Sequence, residues 1–163
     1  MTKPASLQVR DFRQDDEVHL IRLVRELQSH EIVYYDRMIP PDAIAGWYID
    51  SIRKDCQENA GHIRIAVRES LPVGYCVTLT RVPSEEADEQ PFSYAYVSEL
   101  AVARSARGQG IGKRLLQDAE CLARAADAKW LRVSVLAKNT VARELYSNRG
   151  FAEHLINMEK PLK

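Results

Sequence analysis

The sequence predicts an α+β fold, a central mixed and mostly antiparallel twisted sheet of roughly six to seven strands flanked by about four helices. Three observations predict it. Two strand-like runs, "HIRIAVRE" and "LPVGYCVTLTRV", stand close enough to form an antiparallel hairpin with a tight turn around Ser70–Pro72. Further on, "YAYVSELAV" leads through a glycine loop into a helical pattern and then into "WLRVSVL", a strand–helix–strand unit. No repeat, low-complexity tract or linker divides the chain, so residues 1–163 read as a single domain.

Each element has its own signal. "SLQVRDF" alternates as a first strand, and Asp15 and Asp16 offer N-cap chemistry for a helix through Leu20, Leu23, Val24 and Leu27. A second helix starts near Pro41 and sets Ile44, Trp47, Tyr48 and Ile52 on one face. "YAYVSELAV" (Tyr94–Val102) is the longest strand-like run. Gly112 to Ala126 is a helix with Leu115, Leu116, Ala119, Leu122 and Ala123 on its apolar side. "WLRVSVL" (Trp130–Leu136) reads as a buried strand. A short helix opens on Asn139 as N-cap and closes on Gly150, and "FAEHLINMEK" is a final strand.

Composition narrows the function classes. Lys plus Arg (23) equals Asp plus Glu (23), so net charge points neither to nucleic acid nor to an anionic membrane. No apolar run suits a signal peptide or a spanning helix, which would need about 20 residues. Cys56, Cys76 and Cys121 are far apart and form no metal or redox motif, so they read as small buried hydrophobes in a reduced, cytoplasmic setting. No metal site is expected.

The stretch "RSARGQGIGKRLL" carries the chemistry. Gly108, Gly110 and Gly112 have no Cβ, so consecutive N–H groups can point at one pyrophosphate, and a helix start adds its free N–H groups and positive end. A Walker A loop needs glycine where Arg107 stands and Ser or Thr where Arg114 stands. A Rossmann fingerprint needs its glycines directly at a strand end, in GxGxxG spacing, with an acidic residue ending the next strand. Neither fits.

What fits is Arg/Gln-x-x-Gly-x-Gly/Ala, present as Arg107-Gly-Gln-Gly110-Ile-Gly112 after a strand ending "LAV". Here the sequence resembles the GNAT superfamily of N-acetyltransferases, which use acetyl-coenzyme A. "LAKNTVARELYSNRGF" extends the resemblance, with Asn139, Ala142, Tyr146, Gly150 and Phe151 at the family's positions, and the order of elements agrees along nearly the whole chain. Asp127 stands where a glycine commonly ends the long helix, a left-handed position that Asp tolerates.

The resemblance implies coenzyme contacts. The pantetheine arm would pair with the backbone of Leu100, Ala101 and Val102. The pyrophosphate would lie on Arg107, Gly108, Gln109, Gly110, Ile111, Gly112 and Lys113. Asn139, Ala142 and Tyr146 would complete the site, Asn139 as N-cap, coenzyme contact or both. Tyr146 would be the acid for the departing thiolate, a role a phenol with pKa of about 10 can fill. Glu99 is the only carboxylate on the strand beside the thioester, with a base role and a plain ion-pair role both open. Alternation sets Glu99 opposite Leu100 and Val102, and a bulge, usual in this strand of the family, would break that parity. Tyr94, Tyr96 and Ser98 share a face by alternation and could line the amine site or hold a water that relays the proton.

In this fold the segment "SHEIVYYDRMIPP", with His30, Glu31, Tyr34, Tyr35 and Asp36, would close over the acceptor, where aromatic rings and carboxylates suit a cationic amine. The expected partner is a small-molecule amine, with no nucleic acid or membrane and with self-association as a homodimer. Three activities stay open: transfer of acetyl to a small amine, transfer to a protein N-terminus or lysine, and non-catalytic binding of an acyl-CoA.

Overall fold

The computed structural model describes residues 6–162. In chain order the elements are β1 (Gln8–Asp11), α1 (Glu17–Glu31), α2 (Gly46–Glu58), β2 (Gly61–Arg68), β3 (Leu71–Pro83), β4 (Ser93–Val102), α3 (Ile111–Ala125), β5 (Leu131–Val133) and α4 (Thr140–Ser147). The sheet runs β1-β2-β3-β4-β5; the first four strands are antiparallel and β5 is parallel to β4. This is the mixed α+β architecture that the strand pair and the later strand–helix–strand unit predict. No helix among the described residues is long and apolar enough to cross a membrane.

The two faces of the sheet are covered differently. Paired residues share a face, so Tyr75, Val77, Glu99 and Ala101 look one way while Gly74, Cys76, Leu100 and Val102 look the other. α2 lies over the first face, where the Tyr48 hydroxyl reaches Glu99. α1 packs beside it through Leu20, Leu23 and Val24, buried at the helical spacing that the sequence predicts. α3 covers the second face with Ile111, Leu115, Leu116, Ala119 and Ala123. Its approach depends on Gly74, where a Cβ would stand 2.9 Å from the Ala101 carbonyl and 3.3 Å from Ile111 and Leu115.

Several sequence expectations shift. The hairpin turn is Glu69–Ser70, both at positive φ (50° and 67°), so Leu71 and Pro72 already belong to β3. That conformation matches the strand twist of a two-residue hairpin loop. β3, with 13 residues, is longer than β4, with 10. Trp47 is 53% exposed; the buried residues of α2 are Ile49 and Ile52, and Ile44 precedes the helix. The strand expected over Trp130–Leu136 forms only at Leu131–Val133, half-buried, because β4 offers it partners only at Ala95–Val97. "FAEHLINMEK" forms no strand: it is unpaired, and Leu155, Ile156 and Met158 are exposed. The sheet therefore has five strands. Asp16 does not cap α1; its buried carboxylate takes both Arg10 amino groups at 2.7 and 2.8 Å. Of the cysteines only Cys76 is buried, while Cys56 is half-buried and Cys121 exposed.

Candidate active site

β4 is the strand on which the site is built. The register jumps from Val77↔Glu99 to Thr78↔Val97, leaving Ser98 as an extra residue. This bulge leaves Glu99 opposite Leu100 and Val102, as alternation has it, and brings Tyr96 onto the side of Glu99. Tyr96 and Ser98 therefore do not share a face; the Ser98 hydroxyl turns to the Val77 carbonyl at 3.5 Å. Beyond Val97, β4 and β5 no longer pair, so Leu100, Ala101 and Val102 bond to β3 on one edge only. Backbone groups on the other edge can receive an extended amide chain. The Val102 carbonyl already accepts from Arg107 Nε at 3.1 Å, which ties the loop to the strand end.

The glycine loop follows a short 3-10 turn at Arg104–Ala106. Gly108 and Gly110 have φ of 73° and 77°, and a Cβ at either would meet nothing within 4 Å. Gly110 is the N-cap of α3 and no side chain caps it; the first helical bond runs from Arg114 N to Gly110 O. The N–H groups of Ile111, Gly112 and Lys113 thus have no intrahelical partner at the positive end of the helix. Gly112 has a different constraint: its Cβ would stand 3.2 Å from Leu145 of α4. Gln109 is braced by Arg68 Nη1, a partner that nothing local in the sequence signals, and donates to Ser105 O at 3.5 Å. Lys113 is exposed. The cradle suits the pyrophosphate of a coenzyme, with the free strand edge beside it for the pantetheine amides.

α4 closes the second side. The Asn139 side chain accepts from Ala142 N at 3.2 Å and is buried, so the capping role is formed. Tyr146 is buried, with its ring edge-on to Phe151 at 5.7 Å. Burial raises its hydroxyl's pKa above the ordinary value, and the charges of Cys76, Glu31 and Tyr96 add to that. Its hydroxyl has no hydrogen-bond partner among the described residues.

Glu99 has the densest surroundings. Oε1 accepts from the Tyr48 hydroxyl at 2.8 Å and Oε2 from the Tyr75 hydroxyl at 2.6 Å. Desolvation lifts its pKa, the two phenols pull it back, and Glu31 and Asp55 lift it further. Glu31, at the end of α1, is itself raised by burial. Its charge acts on Glu99, Tyr48, Tyr75 and Tyr146 alike.

The acceptor-side residues are less concentrated. Tyr34 packs edge-on to His30 at 5.6 Å. Tyr35 carries the Arg37 guanidinium 4.5 Å over its ring, and Arg37 is gripped by Glu159 at 2.8 Å, so that face is already occupied by a cation. A groove of about 1250 Å³ runs between α1 and the start of the loop, past Arg22, Arg25, Arg104 and Arg107, but neither Glu99 nor Tyr146 lines it. Tyr48 and Tyr75 are the site residues that sequence reading takes only for helix-face and strand residues. Their part depends on the β3–β4 register and on the seat of α2, which no local pattern encodes.

Comparison with known proteins agrees with this geometry. A GCN5-related N-acetyltransferase 6, chloroplastic, from Arabidopsis thaliana is 33% identical over 105 residues; the match takes in 55% of this chain but only 36% of that protein. A mutant of the BH1408 protein from Bacillus halodurans superposes with a TM-score of 0.81 at 19% identity, covering 96% of this chain and 99% of its own. A Trypanosoma brucei acetyltransferase gives 0.68 at 18%, covering 96% and 100%. An aminoglycoside acetyltransferase from an uncultured soil metagenomic sample gives 0.64 at 21%, covering 96% and 97%. These structural likenesses establish the fold. The model of the acetyltransferase (GNAT) family matches residues 19–151, a span that takes in most of α1, the bulged strand, the glycine loop and α4, and the chain belongs to that family.

Proposed function

We propose that the chain transfers the acetyl group of acetyl-CoA to a primary amine of a small-molecule acceptor, by direct attack with both substrates bound. The observation that supports this reading is the uncapped start of α3 packed against the unpaired end of β4, where Gly112 meets Leu100 and Val102. When bound, acetyl-CoA supplies an activated acyl group and a thiol leaving group. The loop N–H groups and the edge of β4 hold the coenzyme. Glu99 takes the proton that makes an ammonium into a nucleophilic amine, and Tyr146 gives its hydroxyl proton to the departing sulfur. The sign of the Glu99 perturbation fits a base, and that of Tyr146 leaves a weaker acid than a free phenol but one that is protonated. A raised carboxyl is a better proton acceptor, and a raised phenol stays protonated through neutral pH.

Calorimetric titration with acetyl-CoA, against NAD and ATP as controls, tests the coenzyme assignment. Selective binding of acetyl-CoA is expected; equal response to the controls would remove it. Tyr146→Phe is expected to lower turnover by about 10²-fold while leaving acetyl-CoA affinity nearly intact. Lost affinity with unchanged turnover would remove the acid role. Release of free thiol with amines, compared with peptides, separates a small acceptor from a protein one.

A further inference from the structure

Glu99 is a carboxylate in a site with no counter-ion. Its oxygens meet Tyr48 from α2 and Tyr75 from β3; the charges of Glu31 from α1 and Asp55 from α2 act on it, and its own charge acts on Cys56 of α2 and, from the other face of the sheet, on Cys76. Tyr96 lies on the same side of β4. Among the described residues its side-chain hydrogen bonds come from the two phenols, and no Lys, Arg or His forms an ion pair with it. Such a carboxylate would ordinarily be neutral, and a neutral carboxyl takes no proton. The two hydroxyls are what the fold supplies in place of a cation. One comes from β3, fully buried; the other comes from the first turn of α2 and crosses to the sheet.

We infer that Tyr48 and Tyr75 are positioning residues that hold the carboxylate of Glu99, one phenol on each oxygen, ready to take the acceptor's proton. The inference rests on the reading of Glu99 as base. Each carboxylate oxygen spends one acceptor position on a phenol and keeps another for the incoming ammonium. In the proton step an N–H bond of the acceptor breaks and an O–H bond forms on Glu99; the proton later passes to solvent. The tyrosines do not exchange protons with the substrate. They favour the charged form by hydrogen bonds to it and fix the plane of the carboxylate. Because Tyr48 belongs to α2, the helix that follows the acceptor-side segment, a shift of that helix would change both the aim and the proton affinity of the base.

The test is a carboxyl ¹³C NMR titration of the full chain labelled at glutamate, with the Glu99 signal assigned by its loss in Glu99→Gln. Wild-type Glu99 is expected to titrate above the ordinary glutamate range, and Tyr48→Phe and Tyr75→Phe are each expected to move its midpoint up by about one pH unit. A midpoint unmoved in both variants overturns the inference. Thermal melting and acetyl-CoA binding show whether each variant is folded. Should the buried Tyr75→Phe fail, Tyr48→Phe alone decides. The pH–rate profile, read as thiol release with methylamine as probe acceptor, keeps the two ideas apart. If Glu99→Gln removes the acidic limb while the phenylalanine variants leave it in place, the positioning role falls and the base stands. If Glu99→Gln leaves the limb intact, the base reading falls and takes the inference with it.

Discussion

Glu99 shows how little a residue's identity says about its chemistry. On the strand it is one carboxylate among 23 acidic residues. In the fold, burial and the charges of Glu31 and Asp55 push its proton equilibrium upward, and the two phenols bonded to it pull only part of the way back. The rate should therefore rise with pH through a window above the ordinary glutamate value of about 4.3, as Glu99 loses its proton. Glu99→Gln is expected to abolish that limb and to lower turnover by about 10²-fold or more. Stability runs the other way. A raised carboxyl contributes stability that is complete below the unfolded value and is lost as pH rises through the folded one. Glu99→Gln carries no such loss, so at neutral pH its melting temperature should not fall below wild type. A variant that loses both activity and stability would indicate a structural role instead.

At the scale of elements, the glycine loop divides into two functions. Gly108 and Gly110 need their left-handed backbone and face open space, whereas Gly112 is helical and faces Leu145. Gly110→Val is accordingly expected to fold, at about 1–2 kcal/mol of backbone strain, and to lose acetyl-CoA binding. Gly112→Val is expected to wedge α3 from α4 and cost about 1–3 kcal/mol of overpacking. Calorimetry and thermal melting on the pair tell the two roles apart; normal acetyl-CoA binding by Gly110→Val would remove the loop assignment. The helices were legible because their apolar residues recur at helical spacing, and α4 also because Asn139 caps it. The later strands were less so. "WLRVSVL" and "FAEHLINMEK" have strand composition, but a strand needs a partner edge: β4 turns from β5 after Val97, and residues 151–160 pair with no strand among the described residues.

For the whole molecule, ion pairs join parts that the chain order separates. Arg64 of β2 binds Asp118 of α3 at 2.8 Å and Asp11 of β1 at 2.6 Å, with Arg64 and Asp118 mostly buried. Asp118→Asn is expected to cost about 1–2 kcal/mol, a fall of roughly 2–8 °C in Tm, without change in the pH–rate profile; an unchanged Tm would mean the bridge contributes nothing. The sequence by itself determined the α+β class, the helix positions, the glycine loop and the phenol on α4. Each of these is written in local spacing, in the 3.6-residue period, in glycines at fixed offsets or in a cap and its helix. The tertiary structure decided the surroundings of Glu99. The bulge at Ser98 sets which side chains share its face, the register sets Tyr75 beside it, and the packing of α2 brings Tyr48 across. Proton affinity depends on burial and on neighbours distant in sequence, and only folding supplies either.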